Sequence, residues 1–215
     1  MKKKSNNLPD HRTEALLNGR LDDPFSYLGP HSEADSYIVR VFQPYASEIW
    51  LETTQGNMPL QRVHAHGLFE WRGTILPPHP YCLIATEDGN QKRLHDCYAF
   101  SRTISSFDLH LFNEGKLHQG YHVLGSHHTR LDGTPGMRFA VWAPNARRVS
   151  VVGDFNRWDG RTHLMSAHGS SGVWEIFIPD LAQGALYKFE ILSVYGELLV
   201  KTDPYANAFE MRPNT

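Results

Sequence analysis

The chain repeats itself, and this repeat constrains its fold more than any other feature. The segment SYIVRVFQPYASEIWLE at 36–52 aligns with GMRFAVWAPNARRVSVV at 136–152, and each reads as a strand, a proline turn and a second strand. Three further pairs of blocks keep one order along the chain: YLGPH with VLGSH, GLFEW with GVWEI, and EDGNQKRLHDCYAF with VYGELLVKTDPYAN. Blocks repeated in one order indicate two copies of a single structural unit.

Each copy consists of short strands. Runs rich in β-branched and aromatic residues alternate with Gly, Pro, Asn and Asp, at the spacing of a β-sandwich. Ten strands are predicted, at 37–42, 48–52, 68–72, 81–86, 91–95, 137–142, 148–152, 173–178, 185–193 and 198–202. Asp88-Gly89-Asn90 and Tyr195-Gly196 are placed as hairpin turns. The fold class is therefore all-β, with two tandem β-sandwiches.

The organisation along the chain follows from the repeat. We expect a flexible N-terminus at 1–21, a first sandwich at 22–104, a linker at 105–119 that can hold a short helix, and a second sandwich at 120–215. The N-terminus also contains a short predicted helix over 13–18, with Thr13 as its N-cap and Gly19 as its stop. A length of 215 residues is compatible with two cores.

Composition excludes several classes of partner. The formal charge is −2, so no extended basic field for nucleic acid is expected. The basic start at 2–4 leads into polar residues and a proline, which is unlike a signal peptide, and no apolar run is long enough to span a membrane. The two cysteines, Cys82 and Cys97, do not make a disulfide framework, and free thiols indicate the cytoplasm.

One loop stands out as a candidate binding site. Strand alternation places Trp174 in the core and leaves Trp142 ambiguous, but Trp158 of GDFNRWDG (153–160) belongs to no alternating run. A flat exposed ring can bind the apolar face of a sugar, and Asn156 and Lys188 could hydrogen-bond its hydroxyls. The competing interpretation is that Trp158 plugs the end of the sandwich or packs on a neighbouring domain, since apolar rings pack more often than they bind.

No catalytic residue, metal site or cofactor is predicted. The histidines crowd two segments, at 64–66 and 118–128, without the spacing of a zinc site. Asp154 and Asp159 could be read as a carboxylate pair, but aspartates beside Gly and Asn are more often used in turns and caps. The sequence contains no nucleophile elbow and no phosphate loop.

The residues resemble a known family. GMRFAVWAPNARRVSVVGDFNRWDGRTHLM (136–165), LYKFEI (186–191), KTDPYANAFEMRPNT (201–215) and DPFSYLGPH (23–31) are similar to the N-terminal region of bacterial 1,4-α-glucan (glycogen) branching enzymes. The resemblance implies two immunoglobulin-like sandwiches, the second similar to family 48 carbohydrate-binding modules. In that family a catalytic (β/α)8 barrel of about 250 residues would follow.

The resemblance also implies a function. This chain would position the barrel and bind α-glucan such as glycogen or amylose, and would be inactive alone. The full-length enzyme would cleave an α-1,4-glucan chain and transfer it to a 6-hydroxyl, which makes an α-1,6 branch. The alternatives are a free-standing glycan-binding or regulatory protein, and the N-terminal part of a debranching-type or trehalose-forming relative.

One departure from the family pattern weakens the expected site. Related glycogen-binding modules use an FNxW tryptophan, a lysine in a YKF strand and a second tryptophan after the next hairpin. Trp158 and Lys188 match the first two, but Leu198 stands at the third position. Losing one stacked ring costs about 1–2 kcal/mol of binding free energy. In the first copy the corresponding segment, 51–59, has no aromatic residue, so we expect a spacer or a weak secondary surface there.

Overall fold

The computed structural model describes residues 11–33 and 35–210, and most of their regular structure is antiparallel strand. The described helices are α1 (His11–Leu17) and α2 (Ser106–Asn113). The first eight strands are β1 (Gly29–Glu33), β2 (Ser36–Phe42), β3 (Glu48–Thr53), β4 (Gly56–Pro59), β5 (Gln61–His64), β6 (Leu68–Gly73), β7 (Cys82–Glu87) and β8 (Asn90–His95). The others are β9 (Gly125–Leu131), β10 (Thr134–Trp142), β11 (Ala146–Gly153), β12 (Ser166–Ala167), β13 (Val173–Pro179), β14 (Tyr187–Ser193) and β15 (Leu198–Lys201).

The strands form two sandwiches with one topology. In the first sandwich the sheets run β1-β2-β6-β5 and β4-β3-β7-β8. In the second they run β12-β13-β10-β9 and β11-β14-β15. The order β1-β2-β6 thus reappears as β9-β10-β13, and β3-β7-β8 reappears as β11-β14-β15. The prediction of an all-β protein with two tandem immunoglobulin-like sandwiches and a short N-terminal helix is confirmed.

The repeated sequence blocks make the same contacts in both copies. In the first copy, the N–H of Gln43, just after β2, donates to the carbonyl of Gly67, just before β6. In the second copy, the N–H of Ala143, just after β10, donates to the carbonyl of Gly172, just before β13, and both bonds are 2.8 Å long. In each copy, a tyrosine from an earlier strand region donates its hydroxyl hydrogen to the buried aspartate of the repeated block, HDCY in the first copy and TDPY in the second. The two pairs are Tyr81 with Asp96 and Tyr187 with Asp203. The two copies therefore repeat these hydrogen bonds as well as the amino-acid sequence.

Hairpin chemistry explains several strand connections. Asp88 and Gly89 both have positive φ, 49° and 79°, as a two-residue hairpin turn between β7 and β8 requires. Asp132 and Gly133 adopt the same geometry between β9 and β10, with φ of 46° and 81°. Only the first of these turns was predicted from the sequence, because β9 itself lacks the apolar alternation of a half-buried strand.

The N-terminal helix differs in detail from the prediction. It begins at His11 and ends at Leu17, so Thr13 lies inside it and is not its N-cap. The Thr13 side chain is buried and its hydroxyl hydrogen-bonds the Tyr27 hydroxyl at 2.6 Å, a tertiary contact that overrides the capping preference. Residues 1–10 of the predicted flexible N-terminus lie outside the described residues. The predicted linker does contain a helix, α2.

Two large cores organise the molecule. The first sandwich encloses its own cluster, which includes Val39, Leu51 and Phe69. A second cluster fills the other sandwich and also takes in Leu16 and Leu21 from around α1, together with Tyr98 from the end of the first sandwich. The helix and both sandwiches therefore share buried apolar surface. The exact boundaries between the domains stay a prediction. In the parts of the chain that the structure describes, no helix has the length and hydropathy needed to cross a membrane.

Candidate functional site

The GDFNRWDG loop leaves the end of β11 in an unusual backbone conformation. A short 3-10 turn over Asp154–Asn156 is followed by Arg157 and Trp158, which both have left-handed φ values, 57° and 59°. Such conformations are uncommon for residues other than glycine and need support from neighbouring groups. The Trp158 N–H provides part of that support by donating to the Gly153 carbonyl at 2.9 Å.

Asn156 supplies further support from beneath the loop. Its side chain is 6% exposed, and Oδ1 accepts from the Gly153 N–H at 3.0 Å. Its Nδ2 donates to the Val151 carbonyl and to Nδ1 of His163, both at 2.9 Å. These bonds occupy the amide within the protein, so we assign Asn156 the role of shaping the loop, whereas the sequence had suggested that it meets a ligand directly.

Trp158 presents a partly open ring with a fixed edge. The residue is 43% exposed, and its Nε1 donates to Oδ1 of Asp154 at 2.8 Å. This bond orients the indole while leaving apolar surface accessible. Trp142 is more exposed, at 54%, but its ring meets Phe112 of α2 edge-on with 6.0 Å between centroids. Asp154 thus serves as the acceptor that orients the Trp158 ring.

The residues flanking Trp158 connect the loop to the first sandwich. The Arg157 guanidinium lies 4.2 Å from the centre of the Tyr45 ring, and the Tyr45 hydroxyl donates to Oδ2 of Asp159 at 3.1 Å. Arg161 binds Asp159 through both Nε and Nη2, at 2.9 and 2.7 Å. Burial alone would raise the pKa of Asp159, but the hydrogen bonds from Arg161 lower it overall. The loop is thus braced by the turn between β2 and β3.

Beside the loop lies the outer face of the β11-β14-β15 sheet. Strand pairing puts Lys188 opposite Val152, Glu190 opposite Ser150 and Val200, and Leu192 opposite Arg148 and Leu198. Directly paired residues share a face of a sheet, so all of these side chains lie on the face opposite the buried Phe189. The predicted residues Trp158 and Lys188 are thereby placed beside the same sheet face.

A groove of about 420 Å³ runs over part of this face. Its lining comprises Leu17, Asn18, Gly19, Arg20, Arg148, Trp158, Asp159, Gly160, Arg161, Glu190, Leu192 and Leu198. Trp158 and Leu198 therefore border one groove, and Leu198 is 58% exposed. Lys188 lies two residues before Glu190 on the same strand face and is not part of the lining.

The inner end of the groove is held by charged groups that are already paired. Arg148 is 2% exposed and donates through Nη1 to the Gly160 carbonyl and through Nη2 to Oε1 of Glu190, each at 2.7 Å. A side chain at Gly160 would collide with the Glu190 carboxylate, so glycine permits this close approach of loop and strand. These pairs make the groove rigid without giving it a large net charge.

Among residues 11–33 and 35–210, no group of three or more His, Cys, Asp or Glu side chains is placed to hold a metal ion. Several of the described histidines take part in hydrogen bonds, as when His127 Nε2 contacts the Leu124 carbonyl at 3.0 Å. A concave surface with an aromatic ring and a few placed polar groups is typical of a ligand-binding site.

Comparison with known proteins first indicates the class of protein domain in each half of the chain. Residues 123–206 match the family model described as carbohydrate-binding module 48 (isoamylase N-terminal domain). The second sandwich is therefore similar to this class of module. Residues 9–98 match the model for the N-terminal domain of the alpha-1,4-glucan branching enzyme GlgB.

The individual relatives narrow the class to one family. The chain is 55% identical over 208 residues to the 1,4-alpha-glucan branching enzyme GlgB of Nitrosomonas europaea, covering 95% of this chain and 28% of that protein. The GlgB of Methylobacillus flagellatus is 53% identical over 207 residues, covering 96% of this chain and 29% of the relative. The chain belongs to the GlgB branching enzyme family and corresponds to its N-terminal region. It spans less than a third of the length of these relatives.

A solved structure shows a weaker likeness. The pullulanase of Anoxybacillus sp. LM18-11, crystallised with maltotriose, is 18% identical, with a TM-score of 0.34, over 85% of this chain and 26% of that one. A likeness this low has no bearing on function.

Proposed function

We propose that the outer face of the second sandwich binds α-glucan, with Trp158 as the stacking platform and Lys188 as a hydrogen-bond donor beside it. The observation that carries this proposal is the half-exposed Trp158 ring, held by Asp154 next to an open groove. Asn156 contributes by holding the loop. The match of this sandwich to carbohydrate-binding module 48 supports the ligand class.

We further propose that the chain acts as the non-catalytic N-terminal region of a cytoplasmic glycogen branching enzyme. The relatives' greater length would supply the catalytic barrel, which this region would position against the glucan. The family matches over both sandwiches favour a branching enzyme over a debranching-type relative or a free-standing binding protein. Tested alone, the chain should not change the branching of amylose.

The Trp158→Ala variant should bind glycogen about tenfold more weakly than the wild type, because one stacked ring contributes about 1–2 kcal/mol. Affinity electrophoresis in native gels containing glycogen or amylose measures this loss. Trp142→Ala is the matched control, since it removes another exposed tryptophan outside the groove. Equal retardation of Trp158→Ala and wild type would remove Trp158 from the site.

The Leu198→Trp variant should bind glucan about fivefold more tightly than the wild type. Leu198 is exposed and borders the same groove as Trp158, so a ring there would add a second stacking surface worth about 1 kcal/mol. Isothermal titration with maltoheptaose measures the change. Val194→Trp, at an equally exposed position outside the groove, is the control. An equal gain in both variants would mean that added aromatic surface binds glucan without regard to the site.

A further inference from the structure

The wall of the groove opposite the sheet comes from the N-terminal segment and not from the second sandwich. Residues 17–20, termed the N-terminal turn, are the last residue of α1 and the three that follow it, and all four line the groove. The tryptophan and lysine positions that define the expected glucan site all lie outside this segment. The geometry and the chemistry of the turn nevertheless both suit a role in binding.

The N-terminal turn has a defined conformation. Gly19 has a φ of 63°, and the Gly19 and Arg20 N–H groups donate to the carbonyls of Leu16 and Ala15, at 3.0 and 2.7 Å. This is the left-handed ending that commonly closes a helix, and it satisfies carbonyls that would otherwise be unpaired. The turn is therefore a built structural feature at the edge of the groove.

Buried anchors hold the turn against the second sandwich. Leu16 and Leu21, on either side of it, are 0% and 3% exposed and belong to the core cluster that fills the second sandwich. A Cβ placed on Gly19 would lie 3.6 Å from Cγ of Arg161, which is in ordinary contact range. The turn and the Trp158 loop consequently keep a constant separation, as a two-walled site requires.

The two walls have complementary chemistry. Trp158 and Leu198 offer apolar surface, while the exposed Asn18 and Arg20 offer an amide and a guanidinium. Asn18 Nδ2 donates to the Glu14 carbonyl at 2.9 Å, which uses one of its two hydrogens and leaves the second hydrogen and Oδ1 for a ligand. The Arg161 and Arg148 charges are already paired with Asp159 and Glu190, and Arg20 has no ion pair among the described residues. A polyhydroxylated ring has apolar faces and a polar rim, which matches this arrangement better than an anion or an apolar ligand does.

A second observation lies at the inner end of the groove. The Nε–H of Arg148 is buried and has no acceptor within residues 11–33 and 35–210. A buried donor without a partner is unfavourable and rare in folded proteins. Arg148 is among the residues that line the groove, so this unpaired donor lies close behind its inner surface. The groove volume of about 420 Å³ falls in the usual range for small-molecule sites.

We propose that the glucan site is composite: a glucose residue stacks on Trp158, while Asn18 and Arg20 of the N-terminal turn hydrogen-bond hydroxyls of the same glucan. This inference rests on the proposed function, which it extends from the second sandwich to the segment before the first one. The N-terminal region would then be part of the ligand-binding surface and more than a spacer.

The test compares five forms of the whole chain for affinity to glycogen in native gels: wild type, Trp158→Ala, Asn18→Ala, Arg20→Ala and Arg147→Ala. Each of the two turn variants should weaken binding about fivefold, as expected for the loss of one or two hydrogen bonds to a ligand. Arg147 is exposed, does not line the groove and serves as the matched control. Melting temperatures close to wild type would show that the exposed substitutions leave the fold intact.

The outcomes separate the two proposals. If Trp158→Ala weakens binding while Asn18→Ala and Arg20→Ala behave like Arg147→Ala, the composite site is wrong and the glucan platform stands. If the wild type is not retarded, or if Trp158→Ala binds as the wild type does, the proposed function itself fails. Combining Arg20→Ala with Trp158→Ala adds a check, because two walls of one site should give less than the product of their separate losses.

Discussion

The Glu175→Ala variant is expected to lose about 4 kcal/mol of unfolding free energy, well above the loss that most single substitutions cause. Glu175 lies in β13 and is 1% exposed. Its Oε1 accepts from both the N–H and the hydroxyl of Thr103, at 2.8 and 2.6 Å. Its Oε2 meets the Ile104 N–H at 3.2 Å and Nε2 of His168 at 2.7 Å. Alanine would remove the acceptor of all these donors, and two of them, the Ile104 N–H and the His168 ring, lie in buried surroundings.

The electrostatics of Glu175 support this expectation. Burial by itself would raise the pKa of the carboxyl, but the hydrogen bonds from His168, Thr103 and Ile104 lower it overall. The fold therefore stabilises the ionised form, and this stabilisation is lost when the group is removed. Since Thr103 and Ile104 lead from the first sandwich towards α2, their amide protons should also exchange faster in the variant.

Urea unfolding followed by fluorescence measures the loss. Glu175→Gln keeps the shape of the side chain and one acceptor oxygen, so it should lose less than Glu175→Ala. Glu197→Ala, an exposed glutamate in the turn after β14, is the matched control and should change the unfolding free energy by less than about 0.5 kcal/mol. A loss below about 1 kcal/mol in Glu175→Ala would contradict the view that Glu175 holds the segment at residues 103–104.

Glu175 also shows where sequence reasoning stops. Alternation in VWEIFI correctly predicted Trp174, Ile176 and Ile178 on one buried face, and Trp174 is 5% exposed. Glu175 and Phe177 fall on the other face of this strand, for which the alternation gives no burial, and both are buried. The face they occupy is covered by chain distant in sequence, since the Phe177 ring packs edge-on against Phe100 at 5.0 Å. A pattern with period two cannot show which outer faces a second sandwich will cover.

The strands show a second limit of prediction from sequence patterns, which concerns strands at the edges of sheets. All ten predicted strands are present, with ends that shift by a few residues. Five strands were not predicted: β1, β4, β5, β9 and β12. These are edge strands of their sheets, and most have largely exposed or polar residues, so neither propensity nor alternation identifies them. Their existence depends on a neighbour that offers free hydrogen-bonding groups.

For the candidate site, the sequence indicated the loop but not its supports. Trp158 was singled out because it fits no strand, and the structure places it half-exposed beside a groove. Tyr45, which contacts the loop from the first sandwich, lies more than 100 residues away and has no signature. The N-terminal turn was noticed only as a helix stop. Tertiary packing, which single-sequence patterns do not encode, brings these residues together.

Lowering the pH from about 7 to about 4 is expected to destabilise the protein through His163. The pKa of this histidine is lowered to about 4, chiefly by burial and also by the charge of Lys92. An ordinary histidine titrates near 6.5, so the unfolded chain takes up a proton that the folded chain refuses. This contribution to stability is complete above about pH 6.5, decreases as the pH falls below that value, and reaches its minimum below about pH 4.

The size of this effect follows from the shift. A difference of about 2.5 pKa units corresponds to about 3 kcal/mol. The ring is enclosed by neighbouring groups but keeps some accessible surface, so we expect about 2 kcal/mol. Asp96 acts in the opposite direction: burial raises its pKa to about 6, so its contribution is present at low pH and is lost as the pH rises through that value. The pH dependences of stability that the two residues contribute partly cancel in the wild type. A variant is therefore needed to isolate the contribution of His163.

His163→Gln separates the two contributions and links stability to the binding loop. Nδ1 of neutral His163 accepts the bond from Asn156 at 2.9 Å, so protonation there removes a support of the Trp158 loop, whereas a glutamine cannot titrate. The unfolding free energy of the variant, measured in urea from about pH 4 to about pH 7, should rise less steeply with pH than that of the wild type. Glucan affinity should weaken towards pH 4 in the wild type and less so in the variant.

His128→Gln, which removes an exposed histidine, controls for the loss of an imidazole as such. Parallel pH curves for wild type and His163→Gln would contradict the assignment, because the slope would then arise elsewhere.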